Sequence, residues 1–295
     1  MSKGYTLNEY AEIINSYLRS ALPQCDFGED IVHEAMNYSL SIGGKRIRPV
    51  LTLEFCRVCG GNIEDALSLA AALEMVHTYS LIHDDLPCMD NDDMRRGMPS
   101  CHIKYGYEYA LLAGDGLLTA AFGLIADSDF AKKNPAGAIK AVSALSSLAG
   151  ANGMIGGQVI DLKNENRSAE LKTLKKMDEL KTGALIKSAA LLGCIAAGSD
   201  EKKIEAATEY ASKIGQAFQI VDDILDVTGD EKNLGKPIGS DKESGKSTYY
   251  TLLGLEKAQE YADRLTDEAV DALSVFGKES EFLKELAYML ARRKN

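Results

Sequence analysis

The 295-residue sequence lacks the short motifs that mark several large classes of enzyme. It contains no GxSxG, HExxH or GxGxxG segment, so nothing indicates a serine hydrolase, a zinc protease or a dinucleotide-binding enzyme. Gly245-Lys246-Ser247-Thr248 resembles the end of a P-loop, but the first glycine of that motif would fall at position 240, which is Ser240. No strand is predicted before it either, so a P-loop is excluded.

Signals for a membrane, a cysteine–zinc site and a nucleic-acid partner are also missing. No run of eighteen apolar residues occurs and residues 1–10 lack an apolar signal core, so we expect no membrane span and a cytoplasmic location. Cys56-Arg-Val-Cys59 resembles half of a zinc knuckle, but no second pair answers it, and reduced core thiols on a helix face are favoured. The formal net charge of −11 argues against a nucleic-acid partner.

No stretch of four or more residues alternates convincingly between apolar and polar side chains, as a half-buried strand would. Apolar residues make up 45% of the sequence and recur instead at helical spacing. The predicted helices cover residues 5–22, 30–41, 50–59, 63 to about 85, 105–126, 136–161, 170–198, 202–225, 248–275 and 279–292. No linker interrupts this pattern. We therefore expect one all-α domain over residues 1–295, a single-domain bundle of roughly ten or more helices with its site in the middle.

Two clusters of aspartates lie at the ends of apolar runs: Asp84, Asp85 and Asp90 upstream, and Asp222, Asp223 and Asp226 downstream. Asp222 and Asp226 are four residues apart, about 40° on an ideal helix, so both face the same way. Asp84 and Asp90 are six residues apart, about 240° on the same wheel. Pro87 would also remove a helical hydrogen bond. We therefore predict that the helix ends or kinks near residues 85–87 and that the following turn delivers Asp90.

Aspartates without a histidine or cysteine cage are hard oxygen ligands, which suit Mg²⁺, Mn²⁺ or Ca²⁺ rather than zinc. A solvated acidic turn is the alternative for a single Asp-Asp pair, but two clusters joined to apolar helices favour two walls of one metal site. An EF-hand is excluded because neither cluster has alternating oxygen ligands, a central glycine and a closing glutamate.

Basic residues at helix ends and in glycine-rich turns accompany these aspartates: Lys45, Arg48, Arg95, Arg96, Lys181, Lys236 and Lys246. Any one of them alone would be unremarkable on a solvated helix face. Like charges ~4 Å apart repel by about 4 kcal/mol at an effective dielectric of 20, so bare carboxylates would exclude an anionic ligand. Mg²⁺ typically takes one or two carboxylates and completes its octahedron with phosphates and water. The two sets of charges therefore predict a phosphorylated substrate bridged to the aspartates by metal ions.

Six segments, in chain order, resemble the short-chain trans-isoprenyl diphosphate synthases, and the bacterial farnesyl diphosphate synthases most of all. They are Gly43-Gly-Lys-Arg-Ile-Arg48-Pro49, Asp84-Asp-Leu-Pro-Cys-Met-Asp90, Arg95-Arg96-Gly97, Gly156-Gly-Gln158-Val-Ile-Asp161, Lys181-Thr-Gly183 and Phe218-Gln-Ile-Val-Asp-Asp-Ile-Leu-Asp226. The resemblance runs from about residue 30 to the C-terminus, with one departure at Met98-Pro-Ser100, where Lys-Pro-Thr is expected. It implies the all-α isoprenoid synthase fold, a bundle of helices around a central cavity, and usually a homodimer.

The resemblance also implies roles for individual residues. Several Mg²⁺ (or Mn²⁺) ions per active site would be held by Asp84, Asp85, Asp90, Asp222, Asp223 and Asp226. The allylic diphosphate would contact Arg95, Lys181, Gln219, Lys236 and Lys246, and isopentenyl diphosphate would contact Lys45, Arg48, His77 and Arg96. Gly44, Gln158 and Phe218 would complete the substrate-binding set, and Thr182 and Gln219 would offer polar atoms near the carbocation. The expected catalytic set is Asp84, Asp85, Asp90, Arg95, Lys181, Thr182, Gln219, Asp222 and Lys236.

By this resemblance the protein is a prenyltransferase of isoprenoid biosynthesis that joins isopentenyl diphosphate head-to-tail to dimethylallyl and geranyl diphosphate, giving (E,E)-farnesyl diphosphate. The reaction proceeds by ionisation, condensation and elimination, so it needs no nucleophilic side chain, and the sequence shows no Ser/His or Cys/His arrangement. Alternatives are a geranyl or geranylgeranyl diphosphate synthase and a non-catalytic subunit, which should have lost one acidic cluster. A terpene cyclase is disfavoured because it needs no second basic site.

Product length is expected to depend on Tyr79 and Ser80. Tyr79 precedes Asp84 by five residues, about 7.5 Å along a helix axis. An ideal wheel places Ser80 nearly in line with Asp84 and Tyr79 about 140° away, so geometry alone does not select Tyr79. The resemblance selects it, because an aromatic side chain at that position forms the floor for a fifteen-carbon product in the family. The alternative is an ordinary core tyrosine.

Overall fold

The computed structural model describes residues 4–22, 30–165, 167–228 and 247–293, and nearly all regular structure in these ranges is helical. The predicted all-α class is therefore confirmed. Close Cα neighbours divide the chain into two compact units. One contains Met1–Ser143 and Ile195–Gly198, and the other contains Ala144–Cys194 and Ser199–Asn295.

The first unit is organised around one long buried helix. Its elements are α1 (Leu7–Ala21), α2 (Ile31–Ser41), α3 (Ile47–Val58), α4 (Ile63–Asp84), β1 (Met94–Arg95), β2 (Met98–Pro99), α5 (Cys101–Tyr105), α6 (Tyr107–Ala126), α7 (Asp129–Lys133) and the greater part of α8 (Pro135–Ala149). Most side chains of α4 are buried, and the helix packs against α3 and α6. Burial on every face requires a sequence that is apolar nearly all round, as α4 is.

The start of α4 is set by a polar cap. The side chain of Asn62 accepts a hydrogen bond from the backbone N–H of Glu64 at 3.2 Å, which satisfies one of the free donors of the first turn. The helix then runs without a break for 22 residues. Its C-terminal end, which carries His77, Tyr79 and Asp84, is thereby placed by the packing of the whole unit.

The second unit is organised around another long helix. Its elements are the end of α8, α9 (Met154–Asn164), α10 (Leu171–Asp178), a π-helical turn (Glu179–Gly183), α11 (Ala184–Ala197), α12 (Glu201–Thr228), α13 (Tyr249–Leu253), α14 (Leu255–Ala272), a 3₁₀ helix (Leu273–Ser280) and α15 (Glu281–Ala291). The central helix is α12, which packs along α14 and also contacts the π-helical turn and α15. Ile220, Val221 and Ile224 of α12 form a buried cluster with Tyr249 and Leu265.

Two glycines allow the π-helical turn to lie tightly between its neighbours. A Cβ on Gly157 of α9 would overlap the backbone of Lys181, and a Cβ on Gly215 of α12 would lie 3.1 Å from the Cα of Gly183. Neither approach is open to a larger residue without movement of the backbone. Since π-helical turns often occur at functional sites, this one indicates a functional role for the surroundings of Lys181.

Glycines also divide helices that the apolar pattern predicts as continuous. The helix predicted over 105–126 is interrupted at Gly106 (φ 98°) and the one over 248–275 at Gly254 (φ 80°). Positive φ lies outside the right-handed helical region and is accessible to glycine at little cost. The helix predicted over 136–161 ends at Ala149 and resumes at Met154. The prediction of unbroken helices is wrong at these three places.

Two helical stretches, Tyr107–Lys133 and Leu171–Ala197, are long and apolar enough on average to cross a membrane, although neither is an uninterrupted apolar run. The second is mostly buried within the structure, whereas the first leaves Leu111 and Leu112 exposed. Length and composition alone therefore do not exclude a membrane span in these stretches, contrary to the expectation drawn from uninterrupted apolar runs. Buried helices of water-soluble proteins reach the same composition.

Candidate active site

The chain turns back sharply at the end of α4. Asp84 is the last residue of the helix, and the backbone N–H of Asp90 donates to the carbonyl oxygen of Asp84 at 2.8 Å. Asn91 follows with a positive φ of 53°, which closes the turn. The prediction that the helix ends here and that the turn delivers Asp90 is confirmed, because Asp84 and Asp90 are joined through their backbones.

Asp85 is buried and holds Arg95. Nε of Arg95 lies 3.0 Å from Oδ1 and 3.1 Å from Oδ2 of Asp85, and Nη2 contacts Oδ1 as well. Nη2 of Arg95 also reaches Asp92 at 3.4 Å. Burial raises the pKa of Asp85 above its ordinary value, although the guanidinium of Arg95 acts against this. The acidic turn and the β1–β2 hairpin are therefore fixed to each other by this pair.

The hairpin separates the two adjacent arginines. Arg96 has a positive φ of 54° and Gly97 one of 77°, so the chain reverses directly after Arg95. Arg95 reaches the acidic turn, whereas Nη1 of Arg96 donates to the carbonyl oxygen of Gly43. The guanidinium of Arg96 lies so close to Gly44 that a Cβ there would overlap it. The two arginines therefore contact different parts of the first unit, Arg95 the turn after α4 and Arg96 the turn before α3.

The cations predicted to bind one diphosphate meet beside α4. Nη1 of Arg48 lies 3.3 Å from Nε2 of His77, Arg96 lies on the Gly43–Gly44 backbone, and Lys45 stands exposed in the same turn. Burial, reinforced by Arg48 and Arg96, holds the pKa of His77 well below its usual range. Neutral His77 accepts from Arg48 at Nε2, which leaves the proton on Nδ1. Within the described ranges Nε of Arg48 has no hydrogen-bond partner, so a buried donor is available to an anion.

A buried ion pair that the sequence motifs did not point to holds this turn in place. Arg46, at a positive φ of 50°, is 2.6 Å from Glu74 of α4, and both side chains are 2% exposed. Nε of Arg46 also donates to Asn15 at 2.9 Å. A glutamate within an apolar run was the available signal, since a buried carboxylate requires a partner. The pair positions Lys45 and Arg48 on either side of Arg46.

Lys181, in the π-helical turn, is paired with Asp161 of α9. Nζ of Lys181 lies 2.5 Å from Oδ2 of Asp161, which is almost fully buried. Nε2 of Gln158, one turn earlier on α9, is buried and has no hydrogen-bond partner among the described residues. Thr182 follows Lys181 in the same turn. Asp161 ends the Gly156–Asp161 motif of the sequence, but that motif gives no sign of the ion pair with Lys181.

Asp178 is a second buried carboxylate beside Lys181. It is 4% exposed, and burial raises its pKa from 3.8 to about 7, with the negative charges of Asp161 and Asp222 adding to the effect. The hydroxyl of Tyr249 donates to it, and Gln216 lies 3.4 Å from the same hydroxyl. No sequence motif contains this residue; its position four residues after Leu174 of an amphipathic helix was the only signal that it faces inward.

The three aspartates of α12 have different partners. Gln219 lies 3.4 Å from Asp222, and Nη2 of Arg293 forms an ion pair with Asp222. Asp223 accepts a hydrogen bond at 2.7 Å from the backbone N–H of Tyr249, at the start of α13. Asp226 lies one turn beyond Asp222 on the same face of α12, as predicted. Arg293, which also donates to the carbonyl oxygen of Phe218 at 3.1 Å and lies over its ring, was not predicted.

Tyr79 is buried, one turn before the end of α4, with 5% of its surface exposed. Its hydroxyl has no hydrogen-bond partner in the part of the chain that the structure describes, and burial raises its pKa to about 12. Ser80, next to it, donates to the carbonyl oxygen of His77 at 2.8 Å. Lys236 and Lys246, the remaining predicted site residues, lie outside the described residues.

The aspartates fit a hard cation by their chemistry. Among the described residues no three histidine, cysteine, aspartate or glutamate side chains are close enough to form a cage for an ion. An open pair such as Asp84 and Asp90 is nevertheless what Mg²⁺ requires, because Mg²⁺ keeps most of its coordination for water and phosphate oxygens. Cys56 donates from a buried position to the carbonyl oxygen of Asn62, which favours a core thiol over a zinc ligand.

One family model and several known proteins match this chain over nearly its whole length. The model described as polyprenyl synthetase matches residues 29–286, which include parts of both units. Farnesyl diphosphate synthase of Escherichia coli (strain K12) is 42% identical over 285 residues, covering 95% of this chain and 95% of that protein. Geranylgeranyl diphosphate synthase of Cyanophora paradoxa is 43% identical over 291 residues, covering 98% of this chain and 96% of that protein. The crystal structure of an FPP/GFPP synthase from Zymomonas mobilis matches with a TM-score of 0.86 and 36% identity, covering 97% of each chain. The chain belongs to the polyprenyl synthetase family and is a prenyltransferase, a short-chain prenyl diphosphate synthase.

Proposed function

We propose that this prenyltransferase condenses isopentenyl diphosphate with dimethylallyl and then geranyl diphosphate and releases (E,E)-farnesyl diphosphate. The observation that carries the product length is the buried aromatic ring of Tyr79, five residues before Asp84 on α4. The relatives divide between farnesyl and geranylgeranyl diphosphate synthases, so similarity alone does not choose between them. Geranylgeranyl diphosphate is the second candidate product.

The allylic diphosphate is bound through Mg²⁺ (or Mn²⁺), with Asp84, Asp90 and Asp222 as the principal ligands in this proposal. Bound Mg²⁺ supplies positive charge to the leaving diphosphate. Asp85 and Asp223 contribute through their contacts, since Asp85 holds Arg95 and Asp223 holds the start of α13. The remaining members of this set are Asp226, Gln219, Lys181, Lys236 and Lys246.

Arg95 and Lys181 stabilise negative charge on the diphosphate as the C–O bond breaks. Each is oriented by a buried carboxylate, Asp85 and Asp161, so its charged end is placed before substrate enters. Donors that are already in position lower the barrier because little reorganisation is needed when charge develops. Thr182 and Gln219 offer oxygen atoms to the allylic cation formed in that step.

Isopentenyl diphosphate is bound by the second group of cations, Lys45, Arg48 and Arg96, beside neutral His77. Its double bond attacks the allylic cation, a C–C bond forms, and loss of a proton to the released diphosphate restores the double bond. The buried Nε of Arg48, which has no hydrogen-bond partner among the described residues, supports an anion at this position. A terpene cyclase needs no such second basic group, and a non-catalytic subunit would not need both acidic clusters.

We also propose that residues 1–295 act as one polyprenyl synthase domain, in a cytoplasmic homodimer. The family model extends across both units, which supports a single functional domain. Exposed apolar side chains on α6 and α8, among them Leu112 and Ile139, support burial of these helices against a second copy.

Product analysis tests the proposal. Purified protein with Mg²⁺, isopentenyl diphosphate and dimethylallyl diphosphate is expected to accumulate the fifteen-carbon product. Tyr79→Ala should lengthen it to twenty carbons, whereas Tyr79→Phe should not, because the hydroxyl that it removes makes no hydrogen bond with any described residue. A wild type that already releases twenty carbons would overturn the farnesyl assignment. A folded, active Tyr79→Ala enzyme that still stops at fifteen carbons would overturn the role of Tyr79.

A further inference from the structure

We propose that His83 and Gly114 help to determine product length by holding the ring of Tyr79 in place. The inference rests on the proposed function, in which Tyr79 limits the product to fifteen carbons. Neither residue belongs to the diphosphate-binding or metal-binding sets. All three residues lie in the first unit, two on α4 and one on α6.

The ring of Tyr79 is positioned by packing. Its hydroxyl makes no hydrogen bond to any described residue, so no polar contact fixes the orientation of the side chain. His83 lies one helical turn further along α4, at the spacing that brings two side chains together on a helix surface. The two ring centroids are 5.7 Å apart with an angle of 79° between the planes, the edge-to-face arrangement that aromatic pairs prefer.

His83 is itself held by α6. Its Nε2 lies 3.0 Å from the carbonyl oxygen of Leu111, so Nε2 carries a hydrogen and donates to that oxygen. The carboxylate of Asp115 lies 3.9 Å from the same nitrogen. The imidazole is therefore anchored at one edge to the backbone of α6 while it contacts Tyr79.

Gly114 makes this contact possible. A Cβ at position 114 would overlap Nε2 and Cδ2 of His83, so any larger residue must displace the imidazole. The constraint is steric rather than conformational, because Gly114 lies within the regular helix α6. A continuous contact thus runs from the backbone of α6 through His83 to Tyr79.

Loss of the imidazole would leave a space beside Tyr79. A side chain without support on one side gains access to other rotamers, and its mean position shifts toward the space. A limiting wall that moves in this way admits a longer chain. Displacement of the imidazole by a methyl group at position 114 should have the same consequence, because it also removes the support.

Product ratios in four variants test the inference: His83→Ala, His83→Phe, Gly114→Ala and Gly123→Ala. His83→Ala and Gly114→Ala should each raise the ratio of twenty- to fifteen-carbon product, by about threefold to tenfold if the ring contact is lost. His83→Phe keeps a ring edge against Tyr79 and should return the ratio toward that of wild type. Gly123→Ala is the matched control on α6, because a Cβ at Gly123 meets nothing within 4 Å.

A double variant separates this role from a general loss of structure. If His83 acts through Tyr79, then His83→Ala should change the product ratio in the wild-type background and add nothing in the Tyr79→Ala background. Equal effects in both backgrounds, or a wild-type ratio in folded His83→Ala and Gly114→Ala proteins, would overturn the inference. Should Tyr79→Ala itself leave product length unchanged, the proposed role of Tyr79 fails first, and that result is distinct from a failure of His83 alone. If His83→Ala does not fold, the inference is tested by the product ratios of Gly114→Ala and Gly123→Ala, which it predicts to differ.

Discussion

At the scale of single residues, neighbouring charges decide which groups can bind an anion. His77 is half-buried beside Arg48, and desolvation together with the charges of Arg48 and Arg96 holds its pKa well below the usual range. A charged imidazole at this position would repel the two arginines. A neutral imidazole instead accepts from Arg48 and orients it, so the positive charge stays on the guanidinium groups that can form paired bonds to a diphosphate.

Exchange of Arg96 for lysine should weaken the binding of one substrate selectively. The guanidinium of Arg96 donates to Gly43 through Nη1 and keeps further donors on the same planar group, an arrangement that an ammonium group cannot reproduce. We expect Arg96→Lys to raise KM for isopentenyl diphosphate about tenfold, the effect of losing one charge-assisted hydrogen bond. Arg95→Lys is the matched control and should raise KM for the allylic substrate instead. Equal changes in both constants would show that the two sites are assigned wrongly.

Removal of a carboxylate that is proposed to bind the metal should abolish turnover without unfolding the protein. Asp84→Ala and Asp222→Ala are each expected to lower kcat by about 100-fold or more, since they remove stabilisation of the leaving diphosphate rather than core packing. Circular dichroism and thermal unfolding should remain close to wild type. Glu260→Ala, an exposed acid on α14, provides the control. Full activity in excess EDTA, or in either aspartate variant, would contradict the bridging role of the metal.

The charged residues proposed for this site can be picked out in the sequence, whereas their partners cannot. Aspartates in apolar runs and arginines in glycine-rich turns stand out without a structure. The pairs Arg46–Glu74 and Lys181–Asp161 do not, because their members are 28 and 20 residues apart and no local pattern links them. A buried glutamate in α4 indicates that a partner exists, but only the packing of the unit identifies it.

At the scale of elements, the π-helical turn between α10 and α11 concentrates buried charge. Asp178 precedes the turn, Lys181 lies within it, and Asp161 faces it from α9. The pKa of Asp178 is raised from 3.8 to about 7 mainly by burial, so its neutral form is favoured in the folded state. In the unfolded chain the carboxyl group of Asp178 is in contact with water and keeps its ordinary pKa.

Asp178→Asn should therefore change how stability depends on pH. In wild type the folded state retains a proton between pH 3.8 and about 7 that the unfolded state releases, so the free energy of unfolding falls as pH rises through this window. Asparagine does not titrate. Relative to wild type, the variant should gain about 2 to 3 kcal/mol between pH 5 and pH 8, at ~1.4 kcal/mol for each tenfold change in the dissociation constant. Urea unfolding of both proteins at the two pH values provides the measurement, and a difference that is independent of pH would refute the assignment.

Helix positions follow from the apolar spacing, but helix breaks do not. α4 is predicted well because Asn62 and Pro87 mark its two ends. Gly106 and Gly254 interrupt helices, whereas Gly114 and Gly123 lie inside one, and nothing in the neighbouring residues distinguishes the two kinds. Packing explains Gly114, which accommodates His83 from a neighbouring helix.

At the scale of the whole molecule, α6 and α8 carry large apolar side chains that the described structure leaves exposed. Ile139 is 71% exposed and Leu112 is 49% exposed, large fractions for side chains of this type. Exposed apolar side chains commonly mark a protein–protein interface where several of them lie together. Together with the homodimer proposed above, it leads to a prediction about mass in solution.

Introduction of a charge on the exposed side of α6 or α8 should separate the dimer. We expect wild type to show twice the mass of the chain by size exclusion with light scattering, and Leu112→Glu or Ile139→Glu to show the monomer mass, because a buried unpaired carboxylate is costly. Leu255→Glu, at a position on α14 that is 46% exposed, should leave the dimer intact. A wild-type monomer, or dimers that persist in both face variants, would contradict the assignment of the interface.

The buried pair of Arg46 and Glu74 also limits how this sequence can evolve. Loss of either partner leaves an uncompensated charge in the interior, which typically costs about 3 to 5 kcal/mol, a large share of the stability of a folded domain. A lineage cannot readily pass through either single change, so the two positions should be exchanged together or not at all. Among diverged relatives, we expect an apolar residue at position 46 to coincide with an apolar residue at position 74. The turn that carries Lys45 and Arg48 would thus inherit its placement from a pair of residues that lie in the interior.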